Sequence, residues 1–301
     1  MAPHRTFLDE GNISALAVYY RQATKIRNSS YPFISGDTFR ALADHIYDET
    51  RRDSLSSIKT GDIVFLKGDS LFHFFATTYS KIPNPFILIT HNSDFYGPGI
   101  HGQRLNDKKI IAWFVSNPDV PYHPKLFPIP IGLANRRWIF GNLTNLLHAF
   151  ENYRIPWENR TIKFYVNVGM QGTKKERIAA FERTKNISGA VIVKSQKSSD
   201  AYYNDLGNSK FVFSPPGNGL DCHRTWEALL LGAVPVVRSS GLDPLFLGIP
   251  AIIVPTWLNL TEKVFDSYKY TEGHDMMPAV LYARYWKDRI WKLRADYLKS
   301  V

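Results

Sequence analysis

The sequence predicts an α/β protein of two similar domains, each built on a parallel sheet, with a cleft between them. Three observations carry this. Short continuous apolar runs, such as Asp62–Leu66 (DIVFL), Pro85–Thr90 (PFILIT) and Lys109–Val115 (KIIAWFV), alternate with helical segments. Continuous rather than alternating apolar runs suit parallel strands covered on both faces. Each run ends in small or polar residues, and open parallel sheets bind ligands at the carboxyl ends of their strands. The strand-and-helix series then restarts near residue 160, which argues for a second domain. The expected division is residues 1–155, residues 156–278, and a terminal helix at 279–301 that packs back across both, with the cleft as the binding site.

In chain order, residues 1–30 show a helical pattern (Ile13, Leu16, Ala17, Tyr20) closed by Asn28, Ser29 and Ser30. Tyr31–Asp37 (YPFISGD) reads as a short buried strand and Thr38–Tyr47 as a helix with Phe39, Leu42 and Ile46 inside. Asp37, at the corner, suits a helix N-cap as well as a functional carboxylate. DIVFL ends in Lys67, Gly68 and Asp69, and a helix follows. PFILIT ends in His91, Asn92, Ser93 and Asp94, an imidazole and a carboxylate at one exposed corner. Such a pair can take a proton from an attacking hydroxyl, although Asn, Ser and Asp also simply favour turns. An aromatic loop, Phe95–Gly99, comes next. KIIAWFV ends in Ser116, Asn117 and Pro118; Leu126–Ile131 is a further strand leading to Gly132, and residues 134–160 read as a helix and a connection.

The second series opens with a strand at Ile162–Val168, a turn at Gly169–Thr173 and a helix at Lys174–Lys185. Asn167, Gly169, Lys174 and Arg177 cluster at that turn. Two cations at a helix start oppose the helix dipole, so a phosphate is the expected ligand, with simple solvation as the alternative. After a strand at Ala190–Val193, the most informative stretch begins at Lys210. Lys210–Phe213 is a strand stopped by Ser214, Pro215 and Pro216, because proline cannot donate to a ladder. Gly217 and Gly219, flanking Asn218, permit positive φ and close approach to a ligand. Asp221 stands where an N-cap is expected, and the helix Cys222–Leu231 ends at Gly232. Trp226, Leu229, Leu230 and Ala233 form its inner face. His223, Arg224 and Glu227 fall elsewhere, so a cation and a carboxylate project beside a helix N-terminus, a place to hold an anion and a hydroxyl-rich group. The plainer reading is a shaped turn with a surface ion pair. Strands at Val234–Arg238 and up to Val254 complete the stretch, and Ala279–Leu298 is an amphipathic helix with Tyr282, Trp286, Ile290, Leu293 and Tyr297 on one face.

At 301 residues with 44% apolar and 14% aromatic content, the chain is globular rather than disordered. A single cysteine, Cys222, excludes an internal disulfide and a cysteine-based zinc site. The opening residues lack an apolar signal core and no run reaches membrane-span length, so the expectation is a soluble, cytoplasmic protein without a transmembrane segment. The net charge of +10 points to anionic partners; its scattered distribution suits phosphorylated small molecules better than nucleic acid. There is no GxxxxGK[ST] loop, and the stretch that starts at Gly217 is not a GxGxxG turn, because its sixth position is Cys222.

The stretch SPPGNGLDCHRTWEALLLGAVPVV resembles the C-terminal signature of exostosin-like glycosyltransferases of family 47 and its relatives. There a Ser-Pro-x-Gly-x-Gly-x-Asp-x-x-Arg-x-x-Glu-Ala pattern precedes Gly-x-x-Pro-Val-Val; Ser214, Pro215, Gly217, Gly219, Asp221, Arg224, Glu227, Ala228, Gly232, Pro235, Val236 and Val237 match. FISGDTFR, VFLKGD, ILITHNSD and FPIPIGL in the first half are similar to small exostosin-like enzymes, including ones encoded by large algal viruses. The resemblance implies a GT-B-like fold of two Rossmann-like domains and an inverting transferase that moves a sugar, xylose as the first guess, from a UDP-sugar to a glycan hydroxyl. By position Glu227 would bind the ribose hydroxyls and Arg224 with the Gly217–Gly219 turn would face the diphosphate, with Ser214, Asn218, Asp221 and His223 on the same side. Pro216 replaces a residue that is often basic in the family, so Lys174, Arg177 or Arg238, near Asn167, must supply that contact. Asp94 is the first candidate base, then Asp37, then His91. No DxD triplet is present, and neither a bound metal nor another cofactor is expected. Two alternatives stand beside this: a non-catalytic nucleotide-sugar-binding protein and a nucleic-acid-binding protein.

Overall fold

Two parallel sheets of five strands each organise the chain. The computed structural model describes residues 27–301 apart from 121, 170–174, 196 and 272–276. The helical pattern at Ile13–Tyr20, most of the turn after Gly169, and Lys174 therefore lie outside the described residues.

The first sheet comprises β1 (His45–Tyr47), β2 (Ile63–Lys67), β3 (Phe86–His91), β4 (Ile110–Val115) and β5 (Leu126–Pro128), side by side in chain order. The second comprises β6 (Ile162–Val166), β7 (Ala190–Ile192), β8 (Ser209–Phe213), β9 (Val234–Arg238) and β10 (Ile252–Val254), in the order β10-β9-β8-β6-β7. This is the α/β architecture expected, compatible with two Rossmann-like domains. In the second sheet the chain changes direction of travel between β6 and β8, which creates a topological switch point at their carboxyl ends.

Every residue of β3 and β4 is buried, which explains their unbroken apolar runs. Alternate residues serve different cores. Ile63, Phe65, Ile87, Ile89 and Phe114 face a cluster that also contains Trp226 and Leu229 from the second half and Trp286 and Ile290 from the terminal helix. Val64, Leu66, Leu88, Trp113 and Val115 face a cluster of their own. On the second sheet Phe164, Val166, Phe211, Phe213 and Val236 face a third. One apolar cluster thus spans both halves of the molecule and fixes where the two sheets' ligand-facing ends meet.

Three sequence expectations change. Tyr31–Asp37 is not a strand: Phe33 makes one isolated antiparallel bridge to Tyr282, and the chain enters helix α1 (Gly36–Ala41), capped by Ser35. That helix ends at Ala41, and His45–Tyr47 is β1, paired with β2. Phe39 and Ile46 do reach the core, which is what the helical periodicity detected, but Ile46 arrives there as a ladder residue. Helix α2 (Leu71–Thr77) follows β2, α3 (Leu143–Asn152) lies between the sheets in sequence, and α4 (Lys175–Thr184) follows β6. Helix α5 (Ser199–Gly207), not anticipated, precedes β8; its sequence SDAYYNDLG is too polar to show an apolar stripe. Helix α6 (His223–Leu230) links β8 to β9 and ends at Gly232, whose φ of 76° suits glycine. A short α7 (Glu262–Asp266) leads to the last helix, α8 (Ala283–Ser300). It returns to the first half: Trp286 packs edge-on against Phe39 at 5.7 Å, and Arg294 reaches Asp44 at 3.1 Å. No helix among the described residues is long and apolar enough to cross a membrane.

Candidate functional site

A cavity of about 360 Å³ opens at the switch point of the second sheet, lined by Asn167 beyond β6, Arg177 of α4, Lys197, Tyr202 of α5, and Arg224 and Glu227 of α6, with Cys222 and His223 at its edge. Arg177 holds the two strand ends together. Its Nε and Nη2 donate to Pro216 O at 3.0 and 2.9 Å and its Nη1 to Gly169 O at 3.1 Å. Glu227 is nearly buried, and its Oε2 accepts from the Tyr202 hydroxyl at 2.7 Å. Burial and the Glu227 charge push the Tyr202 phenol far above its ordinary value, so it remains a donor. Burial and the charge of Arg224 pull Arg177 down. A bound anion would relieve that repulsion, and the Nε of Arg224 is buried without a protein partner. Asn167 turns its Nδ2 to Tyr165 Oη at 3.0 Å. The cavity therefore combines two guanidinium groups with the single carboxylate of Glu227, whose charge reaches Arg224, a setting for a diphosphate beside a diol.

The glycine turn works differently from expectation. Neither Gly217 nor Gly219 takes a positive φ. Gly219 is needed instead for close approach, since a β-carbon there would lie 2.9–3.2 Å from the amide of Asn117 in the first half. Asp221 is not the helix cap; that position belongs to Cys222, which makes no side-chain cap bond. Asp221 is buried, with Oδ2 accepting from Ile131 N at 2.9 Å and Trp226 Nε1 at 2.8 Å, and Oδ1 accepting from Cys222 N at 2.7 Å. Burial outweighs these three donors and pushes its carboxyl up to about 6. Asp221 thus ties α6 to the first half rather than facing a ligand. Ser214 is buried and away from the cavity, and its Oγ has no partner. Asn218 is not among the lining residues. Arg238 points elsewhere, to Glu176 at 2.5 Å and Ser239 O at 3.1 Å.

A second cavity, of about 250 Å³, lies at the carboxyl end of the first sheet, lined by Asp69, Asn92, Ser93, Asp94, Arg137 and Trp138 among others. His223 lines both cavities, so they adjoin. Its Nδ1 donates to Gly132 O at 2.7 Å, which leaves Nε2 with a free lone pair in the neutral ring. The floor of this second cavity is a closed circuit of hydrogen bonds. Asn92 Nδ2 donates to Asp37 Oδ1 at 2.9 Å, Asn135 Nδ2 to Asn92 Oδ1 at 2.8 Å, and Asp37 N to Asn135 Oδ1 at 2.7 Å. The circuit holds Asn92 at a φ of 56°.

Of the three candidate bases, only Asp94 is exposed at the cavity. Asp37 is fully buried behind Gly36 and Asn92, paired with Arg27 at 2.9 Å; burial raises its carboxyl against the pull of Arg27, Arg137 and Asn92. His91 is 2% exposed and uses both nitrogens internally: Nε2 donates to Pro130 O at 3.0 Å and Nδ1 accepts from Asn92 N at 2.6 Å. Burial, opposed by the Pro130 bond, drives it down to about 4, so the ring is neutral and has no free nitrogen to offer a substrate. Beside Asp94, Ser93 Oγ donates to Asp69 Oδ1 at 2.5 Å, and Lys67 pairs with Asp69 at 2.7 Å. Glu49 gathers Arg27, Arg137 at 3.2 Å and Lys67 at 3.7 Å into one network.

Asn135, Arg137 and Trp138 sit in a stretch whose sequence reads as helix, and Lys197 and Tyr202 belong to the unanticipated α5 region, so none of the five stands out before the chain folds. The NRRW run before a helix start was the one available signal. Among the described residues no group of three or more His, Cys, Asp or Glu side chains is arranged to hold a metal ion. No protein-family model matches the chain, and no curated protein matches it.

Proposed function

We propose that the protein is an inverting glycosyltransferase of GT-B-like design that moves a sugar from a UDP-sugar to a glycan hydroxyl. The observation that carries this reading is the pair of adjoining cavities sharing His223, one cationic at a switch point and one with an exposed carboxylate. The donor lies in the larger cavity, with Glu227 on the ribose hydroxyls and Arg224 and Arg177 beside the diphosphate. This retains Arg177 as a charge rather than as a free ligand, since three of its N–H groups already serve Pro216 and Gly169.

The acceptor hydroxyl enters the smaller cavity beside Asp94. It attacks the anomeric carbon from the face opposite the diphosphate, and Asp94 takes its proton. A new C–O bond to the acceptor forms as the bond to the diphosphate breaks, and the guanidinium groups and the first amides of α6 stabilise the charge that develops on the leaving group. Xylose is the first sugar to test, on the resemblance of the signature alone. A thermal-shift series with UDP, GDP and their sugars, followed by a transfer assay with the best donor, tests the proposal. A ligand at about one hundred times its Kd adds roughly 2.7 kcal/mol of stability. A rise in Tm with UDP and UDP-sugars over GDP is the expected result; no shift with any nucleotide overturns it.

A further inference from the structure

One side chain outside both cavities joins the loops that form them. Asn117 follows β4 and is 1% exposed. Its Oδ1 accepts from Leu220 N at 2.9 Å and Asp221 N at 3.4 Å, while its Nδ2 donates to Ser93 O at 2.9 Å and Phe95 O at 3.4 Å. Its own carbonyl accepts from Gly97 N at 2.9 Å. A primary amide has two donor hydrogens and two acceptor lone pairs, and here the carbonyl side meets only donors while the amino side meets only acceptors. The group is satisfied in one orientation, and only while both loops stand where they do. One loop carries Asp94 between the two carbonyls that Asn117 grips. The other runs directly into Cys222, His223 and Arg224, which line the larger cavity. Gly219 presses the second loop against the amide so closely that a β-carbon would not fit without displacing it.

We propose that Asn117 is a positioning residue that couples occupancy of the nucleotide cavity to the placement of Asp94. The inference rests on the reading of the two cavities as donor and acceptor sites. A nucleotide engaging Arg224 and the start of α6 orders the Leu220 and Asp221 amides. Asn117 cannot keep Oδ1 on those amides and Nδ2 on the Ser93 and Phe95 carbonyls unless the two loops move together, because a buried amide that loses either set is left unpaired. Donor binding therefore sets the acceptor loop before the acceptor arrives.

Asn117→Asp tests this with a change of one atom type. The oxygen facing Leu220 N keeps its bond, but the second oxygen now opposes two carbonyls, so the acceptor loop is released while the donor turn stays held. Burial against two carbonyl oxygens raises the introduced carboxyl above its ordinary value of about 4, so lowering the pH to ~5 protonates it and restores a donor to Ser93 O. Hydrogen exchange is measured with and without UDP, together with UDP affinity and transfer kinetics. In the wild type UDP slows exchange at the Phe95 and Gly97 amides. In Asn117→Asp at neutral pH, UDP affinity stays within about threefold, that protection disappears and kcat falls about tenfold or more with donor KM unchanged. Protection and kcat return toward wild type at the lower pH. Asn117→Ala shows the same uncoupling without the pH rescue. Wild-type kcat and protection in Asn117→Asp, a loss without pH rescue that matches an equal loss of UDP affinity, or UDP binding by the wild type with no change at Phe95 and Gly97 each overturns the coupling alone. Failure of the wild type to bind UDP overturns the reading of the cavities and the coupling with it.

Discussion

His91 and Asp221 make opposite demands on pH, and their substitution separates two terms that cancel in the intact protein. His91 falls from its ordinary 6.5 to about 4 because it is buried. Between those values the unfolded chain binds a proton that the native state refuses, so this group's contribution to stability is complete above 6.5 and is lost as pH falls toward 4. Asp221 rises from 3.8 to about 6, so the native state holds a proton that the unfolded chain has released. Its contribution is complete below 3.8 and is lost as pH rises through 6. At about 1.4 kcal/mol per pH unit, each term amounts to roughly 3 kcal/mol over its window, and the two oppose each other between pH ~4 and ~6. His91→Gln removes the first term, so its destabilisation relative to wild type is expected to be about 2 kcal/mol larger at pH ~6 than at pH ~4.5. Asp221→Asn removes the second, and its destabilisation is expected to be larger at pH ~4.5 than at pH ~6 by a similar amount. Urea unfolding of the three proteins at several pH values gives these differences directly. Destabilisations that do not change with pH, or that change with the same sign in both variants, refute the assignment of buried neutral His91 and proton-retaining Asp221.

Three further outcomes follow from the geometry. Asp94→Asn is expected to lower kcat by roughly 10²–10⁴ while leaving UDP affinity unchanged, because Asp94 lines only the acceptor cavity; stopped transfer assays and calorimetric titration with UDP check the two halves of that statement. Glu227→Gln keeps an acceptor for the Tyr202 hydroxyl and so should unfold near the wild-type temperature, yet its UDP affinity should fall about tenfold with loss of the charged partner for the ribose, and an unchanged Kd would move the ribose elsewhere. Trp286→Ala should cost about 3–5 kcal/mol in urea unfolding, since the ring is 1% exposed against Phe39 and its Nε1 donates to Val280 O at 2.9 Å.

The strands of both sheets, β1 excepted, were legible in the sequence because the signal for them is local. A run such as ILIT or IIAWF must be buried on both faces wherever it folds, and Pro215 and Pro216 must end a ladder regardless of context. The cationic cavity was legible for the same reason, as Arg177, Arg224 and Glu227 sit at strand ends and a helix start that periodicity alone locates. What failed was the assignment of tasks to individual polar groups. His91 and Asp94 are three residues apart and both stood as candidate bases, Asp94 first and His91 third, yet His91 is sealed beneath the Pro130 carbonyl and Asp94 is open. Asp221 matched the N-cap pattern, but its oxygens are claimed by amides that include Ile131 N, 90 residues away. Arg238 ended a strand beside the cavity and turned to Glu176 instead.

The parallel α/β halves, the restart between them and the residues gathered at the strand ends all follow from local patterns in the chain. Which carboxylate meets solvent, which one ties the halves together, and the bonds of Asn117 to both loops follow from how distant segments pack. Burial on both faces is a property that a short segment carries within itself. A polar side chain's exposure, pKa and partners depend on what distant segments place against it.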